Sequence, residues 1–213
     1  MDDAAFRHLR QAYPFLAPLF DDVGHRPVPL PQNTPVDEAV VKTVIGQMLS
    51  SKAAASIHAR VVVACDERQC RAWDLPENLL RTAGLSGRKI RTIQEFGAGT
   101  VIRAEEIRAW PEMAFDDLRR SVSSFWGLSE WTAAILAIFH FGHVDVLPLS
   151  DGSIARAIKL IEGSLSKDAR FDPEAARPYG TYLSMALWAS LDDGYWKRSS
   201  MVVGEAGLEP AKA

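Results

Sequence analysis

Apolar residues recur at the spacing of a buried helix in two segments of the chain, and this pattern constrains the fold most. In the first segment the apolar positions are Val40, Val41, Val44, Ile45, Met48 and Leu49. In the second they are Trp131, Ala134, Ile135, Ile138 and Phe139. Both sets follow the i, i+3, i+4, i+7 pattern of a core-facing helix, and no βαβ alternation is found. The sequence therefore predicts an all-α fold.

Glycine and proline residues divide the rest of the chain into short helices. A first helix is predicted over residues 3–13, and the prolines that follow make residues 18–35 unfavourable for regular structure. We therefore expect an N-terminal helix and proline-rich arm over residues 1–35, a helical domain over residues 36–199 and a flexible tail over residues 200–213.

Composition limits the classes of protein that the chain can represent. With 213 residues, of which 47% are hydrophobic, it can bury a sizeable core. The formal net charge of -3 argues against a broadly basic nucleic-acid-binding surface, although a local basic face can still bind phosphates. Cys65 and Cys70 are too few for a four-thiolate iron–sulfur cluster and are predicted to be reduced thiols. Since no apolar stretch approaches the roughly 18 residues of a membrane span, a cytoplasmic location is expected.

Two polar features lie next to predicted helices. Gly127 and Ser129 form a tight connection before a helix, where unpaired backbone N–H groups can bind a phosphate. The same spacing fits an ordinary corner between two helices. Asp151 follows the extended run VDVLPL and precedes another helix, where an aspartate is a good N-cap because it accepts hydrogen bonds from first-turn amides. Spacing alone leaves these alternatives open.

The order of these features resembles a known protein family. The segment GLSEWTA at residues 127–133, the run VDVLPLSD and Asp151 resemble the hairpin and catalytic aspartate of the helix-hairpin-helix (HhH-GPD) DNA glycosylases. VIGQMLSSKAAASIHARV and GLSGRKIRTIQEF resemble the helices upstream of that hairpin, and RPYGTYLSMALWASLD is similar to the closing helix of the DNA-3-methyladenine glycosylase II branch. The resemblance covers residues 36–193. It implies a two-lobed, all-helical fold with the active-site cleft between the lobes.

The resemblance implies a monofunctional DNA glycosylase of base excision repair, which flips out a damaged base and hydrolyses its N-glycosidic bond. The implied substrate is an alkylated purine in double-stranded DNA. Asp151 takes the position of the carboxylate that stabilises the positive charge developing on the sugar. The implied base pocket contains Trp131, Trp188, Ile135 and Tyr179, although core packing is an alternative role for both tryptophans.

The resemblance also implies the residues that hold DNA. These are Gln47, Met48, Lys52, Gly127, Ser129 and Thr132. Met48 matches the wedge that fills the gap left by the flipped base, and buried packing is its alternative role. Lys52 matches the plug of other branches. Arg88, Lys89 and Arg91 are candidates for additional phosphate attraction, or for an ordinary solvated helix face.

No cofactor is required by the implied reaction, and no iron–sulfur cluster is expected. The resemblance does imply a monovalent cation at the hairpin, bound by the backbone carbonyl groups of Ser123, Phe125 and Leu128. The expected partner is double-stranded DNA, bound by a monomer without membrane association. The expected location is cytoplasmic and nucleoid-associated.

Three hairpin positions decide what kind of activity the resemblance implies. Trp131 occupies the position of the Schiff-base lysine of bifunctional members, so strand cleavage is not expected. Ser129 replaces the usual second glycine, and Glu130 stands where a basic or polar residue is common; these changes would crowd or repel a phosphate. A non-catalytic DNA-structure-binding protein with the same fold is therefore an alternative. An all-α protein-interaction module that uses the proline-rich arm is another.

Overall fold

All regular structure in the described residues, 3–165 and 170–199, is helical in the computed structural model, which confirms the predicted all-α fold. The α-helices are α1 Asp3–Ala12, α2 Ala17–Val23, α3 Val36–Gly46, α4 Ser51–Arg68, α5 Glu77–Ala83, α6 Gly87–Ile102, α7 Ala104–Ala109, α8 Phe115–Ser123, α9 Glu130–Leu136, α10 Gly152–Ser164 and α11 Gly180–Asp192. Short 3-10 helices lie at Pro14–Leu16, Ala72–Asp74, Trp110–Glu112 and Pro173–Ala176, and a π-helix at Ala137–Phe141 continues α9.

Two compact units divide the chain. Unit 1 contains residues 1–28 and 144–213, and unit 2 contains residues 29–143. The predicted division at residue 35 therefore does not coincide with a boundary between units. The predicted tail over residues 200–213 lies outside the described residues. Within the ranges that the structure describes, none of the helices is both long and apolar enough to cross a membrane.

The core of unit 1 is assembled from both ends of the chain. Buried residues of the N-terminal helices belong to the same cluster as buried residues of α10 and α11. The cluster includes Leu9, Tyr13, Leu19, Phe20, Ile154, Ile161, Leu183 and Leu187. Tyr13 also donates a hydrogen bond to the carbonyl oxygen of Asp172, 2.7 Å away, and stacks on Phe171 with ring centroids 5.3 Å apart. The N-terminal segment is thus a structural part of unit 1.

The proline-rich arm is partly helical, which corrects the expectation for residues 18–35. Pro18 lies in the first turn of α2, where its missing N–H group has no intrahelical acceptor to lose and its fixed φ suits the helix. Proline is therefore unfavourable in the interior of a helix but favourable in its first turn. The expectation of irregular structure is confirmed only for residues 24–35.

Unit 2 surrounds the long helix α6. This helix contacts α3, α5 and α7, and α3 also contacts α4 and α9. Phe96 of α6 packs with Trp110 and Phe125 in an aromatic cluster. The predicted buried face of α3 extends too far, because the helix ends at Gly46 and the next turn runs outward. Consequently Met48 is 99% exposed, and its predicted packing in the core is wrong.

Candidate active site and nucleic-acid interface

An extended segment fixes the approach of the chain to Asp151. The Val146 N–H donates to Thr181 Oγ1 at 3.0 Å, and Ser184 Oγ donates to the Val146 carbonyl at 2.8 Å. The Gly180 N–H donates to Asp145 Oδ1 at 3.0 Å. Because these partners all lie in the first turns of α11, the extended segment is held against the beginning of that helix.

Asp151 is the N-cap of α10, as one of its two sequence interpretations predicts. Its Oδ1 atom accepts hydrogen bonds from the N–H groups of Ser153 and Ile154, both at 2.9 Å. The indole Nε1–H of Trp188 donates to the same oxygen at 3.0 Å. Three donors therefore converge on one carboxylate oxygen and fix the orientation of the side chain.

The structure places Trp188 and Tyr179 in different surroundings within unit 1. Trp188 is half-buried on α11, packs against the core of the unit and contacts Asp151 through its indole N–H. Tyr179 precedes α11, and its ring centroid lies 5.3 Å from that of His8 and 5.9 Å from that of Tyr182. Trp188 thus packs against the core and also donates a hydrogen bond to Asp151. The roles of both residues in a base pocket stay predictions.

The predicted hairpin lies between α8 and α9 in unit 2. The Phe125 N–H donates to the Val122 carbonyl and the Leu128 N–H donates to the Phe125 carbonyl, at 3.1 and 3.2 Å. Phe125 and Leu128 are buried, with exposures of 6% each. Backbone hydrogen bonds and two buried apolar side chains therefore fix the loop.

Gly127 is required by the geometry of the hairpin. Its φ angle of 76° lies in the left-handed region that side-chain-bearing residues rarely adopt. A Cβ atom at this position would lie 2.2 Å from Oγ1 of Thr92 on α6, far inside van der Waals contact. Thr92 is buried and was not identified as a hairpin partner from the sequence, because only tertiary packing brings it to the loop.

Ser129 does not occupy a position that needs glycine, which corrects the expectation that its side chain would restrict the hairpin. Its φ and ψ angles of -127° and 171° are extended. Ser129 Oγ accepts a hydrogen bond from the Thr132 N–H at 3.4 Å, and Thr132 Oγ1 accepts one from the Ser129 N–H at 3.3 Å. This reciprocal pair is a capping box that begins α9. A phosphate would thus share the Ser129 N–H with Thr132.

The side chains beside the capping box are also paired. Gln47 donates from Nε2 to Thr132 Oγ1 at 3.2 Å, so two predicted DNA-binding residues are in contact. Glu130 accepts a hydrogen bond from Arg119, whose side chain also lies near Asp116. The arginine offsets the negative charge of Glu130, which reduces the repulsion that this carboxylate would exert on a phosphate.

Trp131 and Ile135 line a groove in unit 2. Both side chains are half-buried, and the groove has a volume of about 1140 Å³. Residues of α3 and α4, among them Val41 and His58, form its other walls. Burial lowers the pKa of the His58 imidazole below its ordinary value, with a further contribution from the nearby Lys42. Trp131 is therefore a groove-lining residue, and contact with a flipped base stays a prediction.

The positively charged side chains of unit 2 that were predicted to face DNA have three kinds of surroundings. Lys52 and Arg88 are exposed. Arg91 lies over the ring of the partly exposed Trp126, with its guanidinium carbon 4.2 Å from the ring centroid. Lys89 instead donates to backbone carbonyl groups of unit 2 and is half-buried. The role in phosphate attraction expected for Lys89 therefore competes with a structural one.

The carbonyl groups predicted to bind a cation lie in the last turn of α8 and in the hairpin loop. The Phe125 carbonyl already accepts the Leu128 N–H, and a carbonyl oxygen can accept a second interaction. The nearby Ser123 hydroxyl is buried and has no hydrogen-bond partner among the described residues. A buried hydroxyl group without a described hydrogen-bond partner therefore lies in the same segment as the carbonyl groups that are predicted to bind a cation.

Comparison with known sequences identifies two relatives. The chain is 27% identical over 194 residues to YfjP of Bacillus subtilis (strain 168), a proposed DNA-3-methyladenine glycosylase; the match covers 83% of this chain and 66% of YfjP. It is 24% identical over 179 residues to the alkylbase DNA glycosidase-like protein mag2 of Schizosaccharomyces pombe (strain 972), covering 75% of this chain and 79% of mag2. No family profile matches the chain.

Solved structures share the fold. The 3-methyladenine DNA glycosylase Mag1 of Schizosaccharomyces pombe, determined in complex with abasic DNA, aligns with a TM-score of 0.71 at 24% identity, over 88% of this chain and 96% of Mag1. The chain therefore shares the all-helical fold of this DNA glycosylase. DNA-3-methyladenine glycosidase from Bacillus halodurans, with a TM-score of 0.61 at 23% identity, covers 86% of this chain and 88% of its own.

Three residues bear on the expectations about strand cleavage and iron–sulfur clusters. Trp131, at the hairpin position that the resemblance assigns to a Schiff-base lysine, has no amine. Cys65 and Cys70 are not joined in a disulfide, and burial raises the pKa of the Cys65 thiol to about 11. In the part of the chain that the structure describes, no group of three or more His, Cys, Asp or Glu side chains could hold a metal ion.

Proposed function

We propose that this protein is a monofunctional DNA glycosylase that removes an alkylated purine from double-stranded DNA in base excision repair. The observation that carries the proposal is Asp151, whose Oδ1 atom is held by two backbone N–H groups and the Trp188 indole. The names of YfjP and mag2, and the abasic DNA bound to Mag1, support the same reaction class.

The proposed chemistry uses the charge of Asp151. When the bond between the base and C1′ breaks, the base leaves with the bonding electrons and the sugar gains oxocarbenium character. A carboxylate whose orientation is already fixed stabilises that positive charge without reorganising during the reaction. Water then adds to C1′, and its proton leaves with the base or with solvent. An alkylated purine is a suitable substrate because its positive charge makes it a good leaving group, and an aromatic face attracts it.

We propose that the reaction stops at the abasic site. Strand cleavage by a bifunctional glycosylase needs a lysine amine that attacks C1′ and forms a Schiff base. Trp131 stands at the corresponding hairpin position and cannot form this intermediate. The expected product is therefore an abasic strand with intact phosphodiester bonds.

The proposed DNA contacts surround the hairpin of unit 2. The amide of Gly127 is a proposed phosphate donor, at a position where a Cβ atom would collide with Thr92. Met48 is fully exposed and apolar, as a residue that inserts into a base stack must be. We propose that one monomer binds one damaged duplex at the chromosome, and that Lys52 and Arg88 add attraction to phosphates.

A monovalent cation at the hairpin is also proposed. The carbonyl groups of Ser123, Phe125 and Leu128 are the candidate ligands, and the unpartnered hydroxyl of Ser123 supports an unmet need for a ligand in this segment. A bound cation would supply positive charge beside a phosphate. The protein's own contribution would be to hold the loop carbonyls, through the backbone bonds of Phe125 and Leu128, where such an ion can bind.

The proposal is tested by single-turnover base release. Duplexes carrying 3-methyladenine, 7-methylguanine, 1,N6-ethenoadenine, hypoxanthine, uracil or 8-oxoguanine are incubated with the intact protein and with Asp151→Asn. Asparagine is an equally good N-cap but carries no charge. We expect release of an alkylated purine, an uncut abasic strand, and a rate reduction of about 100-fold or more in the variant.

Asp172→Asn is the matched control. Asp172 caps the 3-10 helix Pro173–Ala176 through a hydrogen bond from the Glu174 N–H, so this substitution also removes a capping carboxylate from unit 1. It should leave the rate unchanged. Absence of base release from every duplex, despite tight DNA binding by the folded protein, would instead favour the non-catalytic DNA-structure-binding alternative.

A further inference from the structure

The connection between α3 and α4 holds an apolar side chain in an unfavourable position. Met48 has a φ angle of 56°, in the left-handed region that is unfavourable for a residue with a side chain. Its side chain is 99% exposed, so burial of apolar surface does not offset this cost. Such a conformation persists only where surrounding groups determine it.

Lys89 of α6 is the group that holds this connection. Its ammonium Nζ donates to the Ile45 carbonyl and to the Gln47 carbonyl, each at 2.7 Å. The carbonyl groups at a helix C-terminus lack intrahelical partners and carry the negative end of the helix dipole, so a cation is favourable there. Burial lowers the pKa of Lys89 below the ordinary lysine value. This desolvation is offset by the two short bonds to carbonyl oxygens.

Other contacts fix the same segment from the sides. The Leu49 N–H donates to the Gly46 carbonyl at 3.1 Å, which closes the turn around Met48. The Gln47 side chain donates to Thr132 Oγ1, which belongs to the capping box of α9. The connection is therefore joined to α6 through Lys89 and to the hairpin through Gln47.

We propose that Lys89 is a positioning residue that holds the α3–α4 connection so that Met48 stands in one exposed conformation before DNA arrives. This inference rests on the proposed function, in which Met48 fills the gap left by a flipped base. A connection whose backbone is already fixed loses less conformational entropy when Met48 inserts, which strengthens binding to the distorted duplex. Lys89 does this without touching DNA, because its ammonium is directed to backbone carbonyls of the protein.

The test compares Lys89→Met with Arg88→Met. Arg88 is the exposed neighbour of Lys89 on α6, so both variants lose one positive charge from the same turn. Each protein is titrated with an undamaged duplex and with a duplex containing a stable abasic-site analogue beside 2-aminopurine, at several salt concentrations. The 2-aminopurine fluorescence reports disturbance of base stacking by an inserted side chain, and no base release is needed for this readout.

We expect Lys89→Met to weaken binding to the abasic duplex by about tenfold, the scale of one lost hydrogen bond to a charged group. The 2-aminopurine signal should fall with it, while binding to undamaged DNA and its salt dependence stay at the wild-type values. Arg88→Met should weaken binding to both duplexes alike. Met48→Ala should reproduce the selective loss, and the double variant Met48→Ala, Lys89→Met should lose little more than either single variant.

Two results would overturn the inference. In the first, Lys89→Met weakens binding to both duplexes equally. It also lowers the slope of log affinity against log salt concentration by about one, as the loss of a phosphate contact does. In the second, the losses from Met48→Ala and Lys89→Met add fully. If Lys89→Met does not fold, Lys89→Gln replaces it, because glutamine removes the charge but retains an N–H donor. A selective loss then supports the inference, and an equal loss overturns it.

The outcomes also separate this inference from the proposed function. The wild-type protein could release no base from any lesion while Lys89→Met selectively loses binding to the abasic duplex and its 2-aminopurine signal. This result would support the positioning role and contradict the proposed glycosylase activity. If the wild-type protein releases bases while Lys89→Met inserts normally, only the positioning role falls.

Discussion

Asp151 illustrates at the scale of one residue how a structural role and a chemical role combine. Its capping of α10 follows from its position in the sequence, since aspartate is a preferred N-cap. The third hydrogen bond does not follow, because Trp188 lies 37 positions later and only the packing of α10 against α11 brings its indole to the carboxylate. The residue that would carry the charge was predictable from the family resemblance. Its bonding partner was not.

Trp188→Phe tests whether the indole hydrogen bond supports catalysis. Phenylalanine keeps an aromatic face but lacks the N–H group, so Asp151 loses the indole donor and keeps its two backbone donors. We expect single-turnover base release to slow by about tenfold, since a hydrogen bond to a charged group contributes roughly 1.5 to 3 kcal/mol. The rate is measured at a protein concentration that saturates the duplex.

Trp196→Phe is the control for this prediction. The Trp196 indole donates to Ser190 Oγ at 2.9 Å, so the control removes an indole hydrogen bond elsewhere in unit 1. It should lower stability without slowing base release. Equal rates for Trp188→Phe and the wild type, with both proteins fully folded, would show that the indole serves only packing.

At the scale of single elements, the ends of helices differ most from the sequence expectation. The apolar pattern of α3 continues to Leu49, yet the helix ends at Gly46. Periodicity identifies which face of a helix is apolar. It contains no information about the hydrogen bonds that Lys89 donates to the carbonyl groups of Ile45 and Gln47 at the end of α3. The same limit applies to the hairpin. Gly127 was identified from the sequence, whereas its steric partner Thr92 was not.

The start of α9 provides a prediction at this scale. Because Ser129 is an extended N-cap within a capping box, Ser129→Ala should lower the free energy of unfolding by about 1 kcal/mol, and Ser129→Gly by only a few tenths. Urea unfolding of the three proteins measures the order. Ser50→Ala is a suitable comparison, since Ser50 caps α4 through one bond to the Ala53 N–H without a reciprocal partner.

Restoring glycine also tests the corrected view of the hairpin. If serine obstructed the DNA-binding loop, Ser129→Gly would raise affinity for an abasic duplex. The extended backbone of Ser129 leads us to expect no such gain. A clear increase in affinity would reinstate the interpretation that this position needs glycine.

For the whole molecule, the sequence predicted the all-helical class but not the division of the chain. Residues 18–35 were expected to lack regular structure, because their prolines disfavour it. Instead Phe20 lies in α2 and, together with Tyr13, belongs to a core shared with α10 and α11. Local patterns describe each helix separately, and they contain no information about which distant helix completes its buried face.

Tyr13 makes the stability of unit 1 depend on pH. Burial, with a smaller contribution from Asp172, raises the pKa of the Tyr13 phenol well above its ordinary value. Above roughly pH 10 the phenol ionises in the unfolded chain but stays neutral in the folded one, so this contribution to stability is present below pH 10 and declines above it. The free energy of unfolding should fall by up to about 1.4 kcal/mol per pH unit through this residue.

Tyr13→Phe isolates that contribution. Unfolding by urea is measured for the variant and the wild type from pH 7 to pH 11. The difference between the two proteins should stay constant up to about pH 9, because both side chains are then neutral in every state. It should shift in favour of the variant at higher pH. A difference that stays constant to pH 11 would contradict the prediction.

The shared core of unit 1 also dictates an order of events during protein synthesis. Residues 3–23 leave the ribosome long before α10 and α11 are made, a delay on the order of 10 s at the usual speed of translation. Unit 2 is contiguous and can fold during that interval. The apolar faces of α1 and α2 meanwhile remain without their native core. The apolar residues of α1 and α2 therefore wait longest for their native partners in unit 1, and such exposed apolar surface makes a nascent chain prone to aggregation.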